Sequence, residues 1–176
     1  MAWKAKPSGS MEIPRRDEPW LTPAIEQEIR GTIMPRYAQP MGAIMPSLHA
    51  IQHEHGYIAY QAMIELATVL GLNPADILDT ASFYEEFHLE PVGRCVIGIC
   101  QSVACEMCGH QALVDHVRNE LEIEPHETTK DGIFTLLTLE CLGSCDTAPC
   151  ALVNDERFDN LTLEQLDRLI EEERAR

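Results

Sequence analysis

Cysteines are the residues of this chain whose spacing points most directly to chemistry. Four of them form two pairs, Cys100-x4-Cys105 and Cys141-x3-Cys145, and each pair follows an apolar run typical of a strand. Thiolates bind zinc and iron, and two cysteines from each of two adjacent loops can hold the two irons of a [2Fe-2S] cluster. The spacing therefore predicts a metal-sulfur site, with electron transfer as the leading function.

Three alternative sites use the same cysteines differently. Cys100-x4-Cys105-x2-Cys108, with Cys141 far downstream, matches the order of plant-type ferredoxins and would make Cys108 a ligand. A tetrahedral zinc ion would accept the four thiolates of the two pairs. Cys105-x2-Cys108 ahead of a helix is also the arrangement of a thiol-disulfide enzyme. The residues by themselves leave these alternatives open.

The remaining cysteines are expected to be structural. Cys95 lies within an apolar run and Cys150 follows Pro149. A free cysteine most often serves as a small buried hydrophobic residue, so neither is predicted to be a ligand. Gly143, inside the second pair, is expected to take a positive φ that lets its loop fold tightly around a metal group.

Composition and charge limit the classes of protein and partner. The chain has 176 residues, 45% of them hydrophobic, and a net charge of −16. That charge argues against nucleic acid or an anionic membrane as a partner. The odd count of seven cysteines and the absence of a signal-type segment argue against a disulfide framework. Because no apolar run is long enough to span a bilayer, we expect a cytoplasmic protein without direct membrane insertion.

The chain is expected to divide into three parts. Residues 1–20, rich in proline and charge, are predicted to be a flexible tail. Residues 21–92 are predicted to be a helical N-terminal region with four helices, of which the first runs from Thr22-Pro23 through Ile33 to a stop at Pro35 and the others span about 46–55, 59–70 and 74–88. Residues 93–176 are predicted to be an α/β unit in the order β, α, β, β, α.

Strand and helix signals in the last part place both cysteine pairs at one end of a sheet. Apolar, β-branched runs at 94–99 and 133–139 are predicted strands that lead into Cys100 and Cys141, and residues 151–153 are a third. Residues 110–121 are predicted to form an amphipathic helix. A capping box at 162–165 predicts the last helix.

Three segments together resemble a known family. They are Cys100-x4-Cys105 with Gly109 close behind, the segment TTKDGIF at 128–134, and ECLGSCDTAP at 140–149. They resemble the thioredoxin-like [2Fe-2S] ferredoxins, and within them the small iron-sulfur subunit of bacterial respiratory complex I, the NADH-quinone oxidoreductase. Short segments at 47–48, 56–58 and 81–84 are similar to the helical part of that family, so the resemblance covers about residues 30–170.

This resemblance implies a fold, a ligand set and a partner. It implies an α/β fold with a thioredoxin-like [2Fe-2S] domain at 93–176, and a cluster bound by Cys100, Cys105, Cys141 and Cys145. Cys108 departs from the family pattern. The chain carries no nucleotide-binding motif, so NADH and FMN are implied to lie on a partner, the NADH-oxidising flavoprotein subunit. The complex would hold the chain at the inner membrane peripherally, and NAD-linked hydrogenases and formate dehydrogenases are the alternative complexes.

Overall fold

The chain folds into two compact units, seen in a computed structural model that describes residues 14–176. The described part of the first unit is residues 14–91, and the second unit is Val92–Arg176. The sequence had indicated a boundary one residue later, between residues 92 and 93. Residues 1–13 of the predicted flexible tail lie outside the described residues.

The described part of the first unit is helical. Its helices are α1 (Pro23–Glu28), α2 (Ile44–His55), α3 (Tyr60–Leu70) and α4 (Pro74–Phe83). Gly56 and Gly71, each with φ near +70 to +80°, end α2 and α3, where a left-handed residue satisfies the last helical carbonyls. Asn73 starts α4 with a capping box, and α4 ends at Phe83, five residues before the predicted end. No helix among residues 14–176 is long and apolar enough to cross a membrane.

The first helix is shorter than predicted. It was expected to continue through Ile33 to a stop at Pro35, but α-helical geometry ends at Glu28 and is followed by a π turn and a 3-10 turn, Ile29–Ile33 and Met34–Arg36. Pro35 has no N–H, and its ring occupies the space that the carbonyl of Gly31 would need in an α-helix. The wider turn still buries Ile29 and Ile33.

Contacts of the helical unit begin ahead of α1. The backbone N–H groups of Trp20 and Leu21 donate to the Glu65 carboxylate on α3, at 2.8 and 2.9 Å. The Arg16 guanidinium lies 3.9 Å from the centre of the Trp20 ring, a cation–π arrangement. These contacts fix the last residues of the predicted tail segment against α3.

The second unit, all of it described, is an α/β fold around one five-stranded sheet. Its strands are β1 (Cys95–Cys100), β2 (Glu127–Thr128), β3 (Phe134–Leu139), β4 (Ala151–Val153) and β5 (Glu156–Phe158), and its helices are α5 (Val103–Met107), α6 (His110–Leu121) and α7 (Leu163–Ala175). The sheet order is β2-β3-β1-β4-β5. Only β1 and β3 are parallel, and the other neighbours are antiparallel.

Three short elements of this unit were not predicted: α5, β2 and β5. They contain two to five residues each, too few to show a hydrophobic period. The strands β2 and β5 exist because they pair with the edges of β3 and β4, which is a tertiary and not a local cause. The capping box that opens α7 was predicted and is present, with Thr162 bonded to Gln165.

The parallel pairing of β1 and β3 places the cysteine pairs together. Cys100, the last residue of β1, is in register with Leu139, the last residue of β3. Parallel strands end at the same edge of a sheet, so the loops that follow them leave from one place. The antiparallel strand β4 begins at this edge, directly after Cys150.

Gly93 precedes β1 at a point where only glycine fits. A Cβ built on Gly93 would lie 2.7 Å from the carbonyl oxygen of Ile133 and 2.7 Å from the carbonyl carbon of Phe134. Both neighbours are backbone atoms at the start of β3, so they cannot move aside alone. On Gly98 the closest contact would be the side-chain tip of Leu139, at 2.4 Å.

We therefore expect Gly93→Ala to lower the free energy of unfolding by about 1 to 3 kcal/mol, the usual range for overpacking. Gly98→Ala is the matched control and should lower the free energy of unfolding by less, because the Leu139 side chain can rotate away. Denaturant unfolding of both variants measures the difference. Equal losses in the two variants would contradict the backbone explanation.

Candidate metal centre

Three buried thiols meet at the edge of the sheet where β1 ends. Cys100 ends β1, Cys105 lies on α5, and Cys150 precedes β4. Their side chains are only 1 to 2% exposed, and their Sγ atoms all lie within 4.8 Å of one another. The Sγ atoms of Cys105 and Cys150 are 3.8 Å apart. This group has the donor atoms and spacing of a soft-metal site.

The second predicted pair lies in an exposed loop. The Sγ atoms of Cys141 and Cys145 are 3.3 Å apart, and both residues are exposed. Gly143 between them has φ of +75°, which confirms the conformation predicted for it. Its N–H donates to the Sγ of Cys141 at 3.4 Å. The loop therefore turns tightly around its own two sulfurs.

Hydrogen bonds join the two cysteine loops. The Glu140 carboxylate, at the end of β3, accepts from the Gln101 side-chain amide at 3.1 Å and from the Ser102 hydroxyl at 3.5 Å. The structure therefore brings the four cysteines of the two predicted pairs to one region at one edge of the sheet.

The ionisation of the buried thiols is set by two opposing effects. Burial disfavours a thiolate at Cys100, but the N–H groups of Ser102 and Leu142, together with the thiols of Cys105 and Cys150, outweigh it and hold the pKa of Cys100 below its usual value. Burial raises the pKa of Cys105, although the backbone N–H of Cys150 acts in the opposite direction. Burial, with Cys105 next to it, raises the pKa of Cys150 to about 12.

In the exposed pair, Cys141 makes ionisation of the Cys145 thiol less favourable. A hydrogen bond with Cys141, and then the negative charge of that neighbour, raise the pKa of Cys145. Weaker charge effects come from Cys100 and Cys105. Adjacent thiolates repel one another, so a cation at the centre of the group would favour full deprotonation.

The exposed loop is anchored from behind by residues that sequence reasoning missed. The Ser144 hydroxyl, 4% exposed, donates to the Asp159 carboxylate at 2.5 Å, and Arg157 pairs with the same carboxylate at 3.3 Å. Thr147 lies 2.6 Å from the Ser144 hydroxyl. Asp159 follows in sequence 15 residues after Ser144 and belongs to no motif, so nothing in the sequence signalled this contact.

The other cysteines lie apart from this arrangement. Cys95 is 1% exposed in the core of the sheet, and burial raises its pKa to about 11. Cys108 follows α5 and is exposed. Cys150 is buried as predicted, but the sequence did not place it beside Cys100 and Cys105.

The donor set fits an iron-sulfur cluster. The group is all thiol, the N–H of Gly143 donates to the Cys141 sulfur, and the backbone N–H groups of Ser102 and Leu142 lower the pKa of Cys100. Such donors are the usual surroundings of a cluster, whose sulfides and thiolates are otherwise unsatisfied acceptors. Thiolates are also common ligands of zinc.

Comparison with known proteins adds independent evidence. The model of the family described as thioredoxin-like [2Fe-2S] ferredoxin matches residues 31–174. A protein of Rhizobium meliloti (strain 1021), named as a subunit of NADH-quinone oxidoreductase, is 43% identical over 140 residues, which are 80% of this chain and 83% of that protein. The corresponding NADH-quinone oxidoreductase subunit of Escherichia coli (strain K12) is 36% identical over 148 residues, 84% of this chain and 89% of that protein.

A solved structure is similar over much of the chain. It is the crystal structure of an NAD+-reducing [NiFe]-hydrogenase in the H2-reduced state, with a TM-score of 0.66 and 32% sequence identity. The match covers 76% of this chain but only 22% of the hydrogenase chain. The present chain therefore corresponds to about a fifth of that longer polypeptide.

Thiol labelling of reduced, metal-free protein should separate the cysteines by exposure. We expect Cys108, Cys141 and Cys145 to react quickly with an alkylating reagent, and the four buried cysteines, Cys95, Cys100, Cys105 and Cys150, to react slowly. Mass spectrometry of the labelled protein identifies the sites. In denaturant all seven should react alike. Labelling of Cys105 or Cys150 as fast as that of Cys108 would show that the buried group is wrongly placed.

Removal of the anchor behind the exposed loop should weaken metal retention. The Ser144 hydroxyl keeps the pKa of Asp159 below its usual value, so the anchor is present at neutral pH and is lost only as the pH falls through that lowered value. We expect Asp159→Ala to release iron to a chelator several-fold faster than the parent protein. Asp159→Asn, which keeps an acceptor oxygen, should fall between them. Unchanged release from Asp159→Ala would exclude an anchoring role.

Proposed function

Since the chain belongs to the thioredoxin-like [2Fe-2S] ferredoxin family, we propose that it is a one-electron carrier subunit with a [2Fe-2S] cluster bound by Cys100, Cys105, Cys141 and Cys145. The observation that carries this proposal is the Glu140 carboxylate, next to Cys141, accepting hydrogen bonds from Gln101 and Ser102, next to Cys100, so that both cysteine loops meet at one edge of the sheet. Two thiols from each loop are what a two-iron cluster needs. When bound, such a cluster supplies one-electron transfer without proton or group transfer.

The chain's own residues would divide the work of holding the cluster. Cys100 and Cys105 are buried and would keep water from one side of the site. N–H groups of Ser102 and Leu142 would stabilise the thiolate of Cys100, the ligand whose pKa is already lowered. Cys141 and Cys145 lie on the exposed side, where a redox partner can come within electron-transfer distance.

The proposed partner is a flavoprotein. The relatives are named as subunits of NADH-quinone oxidoreductase, and this sequence contains no nucleotide-binding motif, so we expect NADH to bind to another subunit of such a complex. We infer that an FMN-binding, NADH-oxidising subunit docks over the exposed cysteine loop and exchanges single electrons with this chain. The chain would then be peripheral to the inner membrane and held there by its complex.

A second complex is supported by one observation. The similar structure is a hydrogenase that reduces NAD+, in which the matched region is part of a longer chain. The NADH-quinone oxidoreductase relatives instead match over most of their length. That agreement in length favours a complex of the NADH-quinone oxidoreductase type over a hydrogenase.

Charge around the site should give a low reduction potential. The chain carries −16, and Glu106, Glu140 and Asp146 are sequence neighbours of the proposed ligands. Negative surroundings disfavour the addition of an electron, while N–H donors to sulfur favour it. We expect the charge to dominate and the midpoint potential to be negative. A redox titration monitored by EPR measures it, and a clearly positive value would contradict this balance.

EPR with metal analysis on one anaerobic sample tests the function. We expect a spin-half [2Fe-2S] signal only after dithionite reduction, with about two irons per chain. Cys141→Ala and Cys145→Ala should each lose the signal, whereas Cys108→Ser, the matched exposed control, should keep it. Stoichiometric zinc, with no EPR signal in the reconstituted protein, would contradict electron transfer and support a zinc-stabilised interaction module instead. Loss of the EPR signal in Cys108→Ser would show that Cys108 is a ligand and that the proposed set of four ligands is wrong.

A further inference from the structure

We propose that Cys150 is an additional metal-ligating thiol at this centre, within reach of the same metal as Cys100 and able to take the place of Cys105. The proposal rests on the proposed function, because it concerns the cluster assigned there to the two cysteine pairs. It adds a residue that neither pair contains. Cys150 follows Cys145 at the same x4 spacing that separates Cys105 from Cys100.

The geometry of the three buried sulfurs supports this role. The Sγ atoms of Cys100, Cys105 and Cys150 lie mutually within 4.8 Å, and Cys150 is 3.8 Å from Cys105. Two ligands of one tetrahedral metal have sulfurs about 3.8 Å apart, since metal–sulfur bonds measure about 2.3 Å. The sulfur of Cys150 is therefore separated from that of Cys105 by the distance expected between two ligands of one ion.

The position of Cys150 is fixed by backbone hydrogen bonds. Its carbonyl accepts from the N–H of Cys100 at 3.0 Å, which ties it to the end of β1. Next to it, the carbonyl of Pro149 accepts from the N–H of Leu161 at 2.9 Å. These bonds hold Cys150 next to the two proposed ligands of the first loop. Its sulfur would therefore have to move little to bind iron.

The surroundings of Cys150 differ from those of an ordinary core cysteine. Cys95, equally buried at 1% exposure, packs among the aliphatic side chains of the sheet core. Cys150 belongs instead to a separate apolar group with Cys100 and Cys105, to which Leu142 and Ala148 are packed. The two residues are thus matched in type and exposure and differ in position, which makes Cys95 the control for Cys150.

Ligand replacement involves no change of oxidation state. With Cys105 absent, the Cys150 thiol would release its proton to solvent, and its thiolate would hold the iron in place of the Cys105 thiolate. The total number of thiolates on the iron stays the same, and no electron is gained or lost. The proton is the only species released.

Iron retention in paired variants tests the replacement. Cys105→Ala should keep most of the wild-type iron and sulfide after anaerobic reconstitution, with a [2Fe-2S] EPR signal at shifted g values. Cys105→Ala combined with Cys150→Ala should lose the cluster, whereas Cys105→Ala combined with Cys95→Ala should keep it. Equal loss in Cys105→Ala and in the Cys150 double variant would overturn the proposal. Failure of the wild type to bind iron would instead overturn the proposed function.

Cadmium binding tests the same thiol, starting from a protein that keeps all three buried thiols. Cys141→Ala with Cys145→Ala changes only exposed side chains, so the fold should be retained, as circular dichroism can check. We expect this protein to bind one Cd²⁺ with three thiolates, read from the intensity of the ultraviolet thiolate-to-cadmium absorption. Adding Cys150→Ala should reduce that intensity by about a third, and adding Cys95→Ala should leave it unchanged. An intensity unaffected by Cys150→Ala would overturn the proposal.

Discussion

Parallel pairing of β1 with β3 is the constraint on which the site depends. Cys100 and Leu139 end their strands in register, so the loops after both strands leave the same edge of the sheet. A shift of one residue in this register would turn the side chains of a strand to the other face, and the thiol at its end would no longer face the second loop. Gly93, pressed against the backbone of β3, helps to set where β1 starts.

Burial and ionisation oppose one another at this edge. A thiolate in an apolar environment is disfavoured, which is why the pKa values of Cys105 and Cys150 are raised. N–H donors relieve this penalty at Cys100, and a bound cation would relieve it at the whole group. Metal binding is therefore expected to stabilise a protein that buries several thiols without pairing them in disulfides, because the cation offsets the penalty of the buried thiolates.

Local signals accounted for most of the fold. Caps, proline positions and hydrophobic periods indicated the helices α2 to α4, α6 and α7 and the longer strands, because each of these elements buries one face of a regular repeat. The predicted fold class, a helical N-terminal region followed by a thioredoxin-like [2Fe-2S] domain, is confirmed by the family match and by the sheet. The π turn after α1 escaped prediction because α and π geometry share nearly the same spacing of buried isoleucines.

Sequence by itself determined the two cysteine pairs, the strands that precede them and the family, because ligand spacing and strand periodicity are local properties of the chain. Tertiary structure alone decided the rest of the site. Cys150 reaches the first pair only because β4 runs antiparallel beside β1, and Ser144 is held only because the chain after β5 returns Asp159 to the second loop. Contacts between segments far apart in sequence leave no periodic signal, since each partner is chosen by the position of the other in the fold.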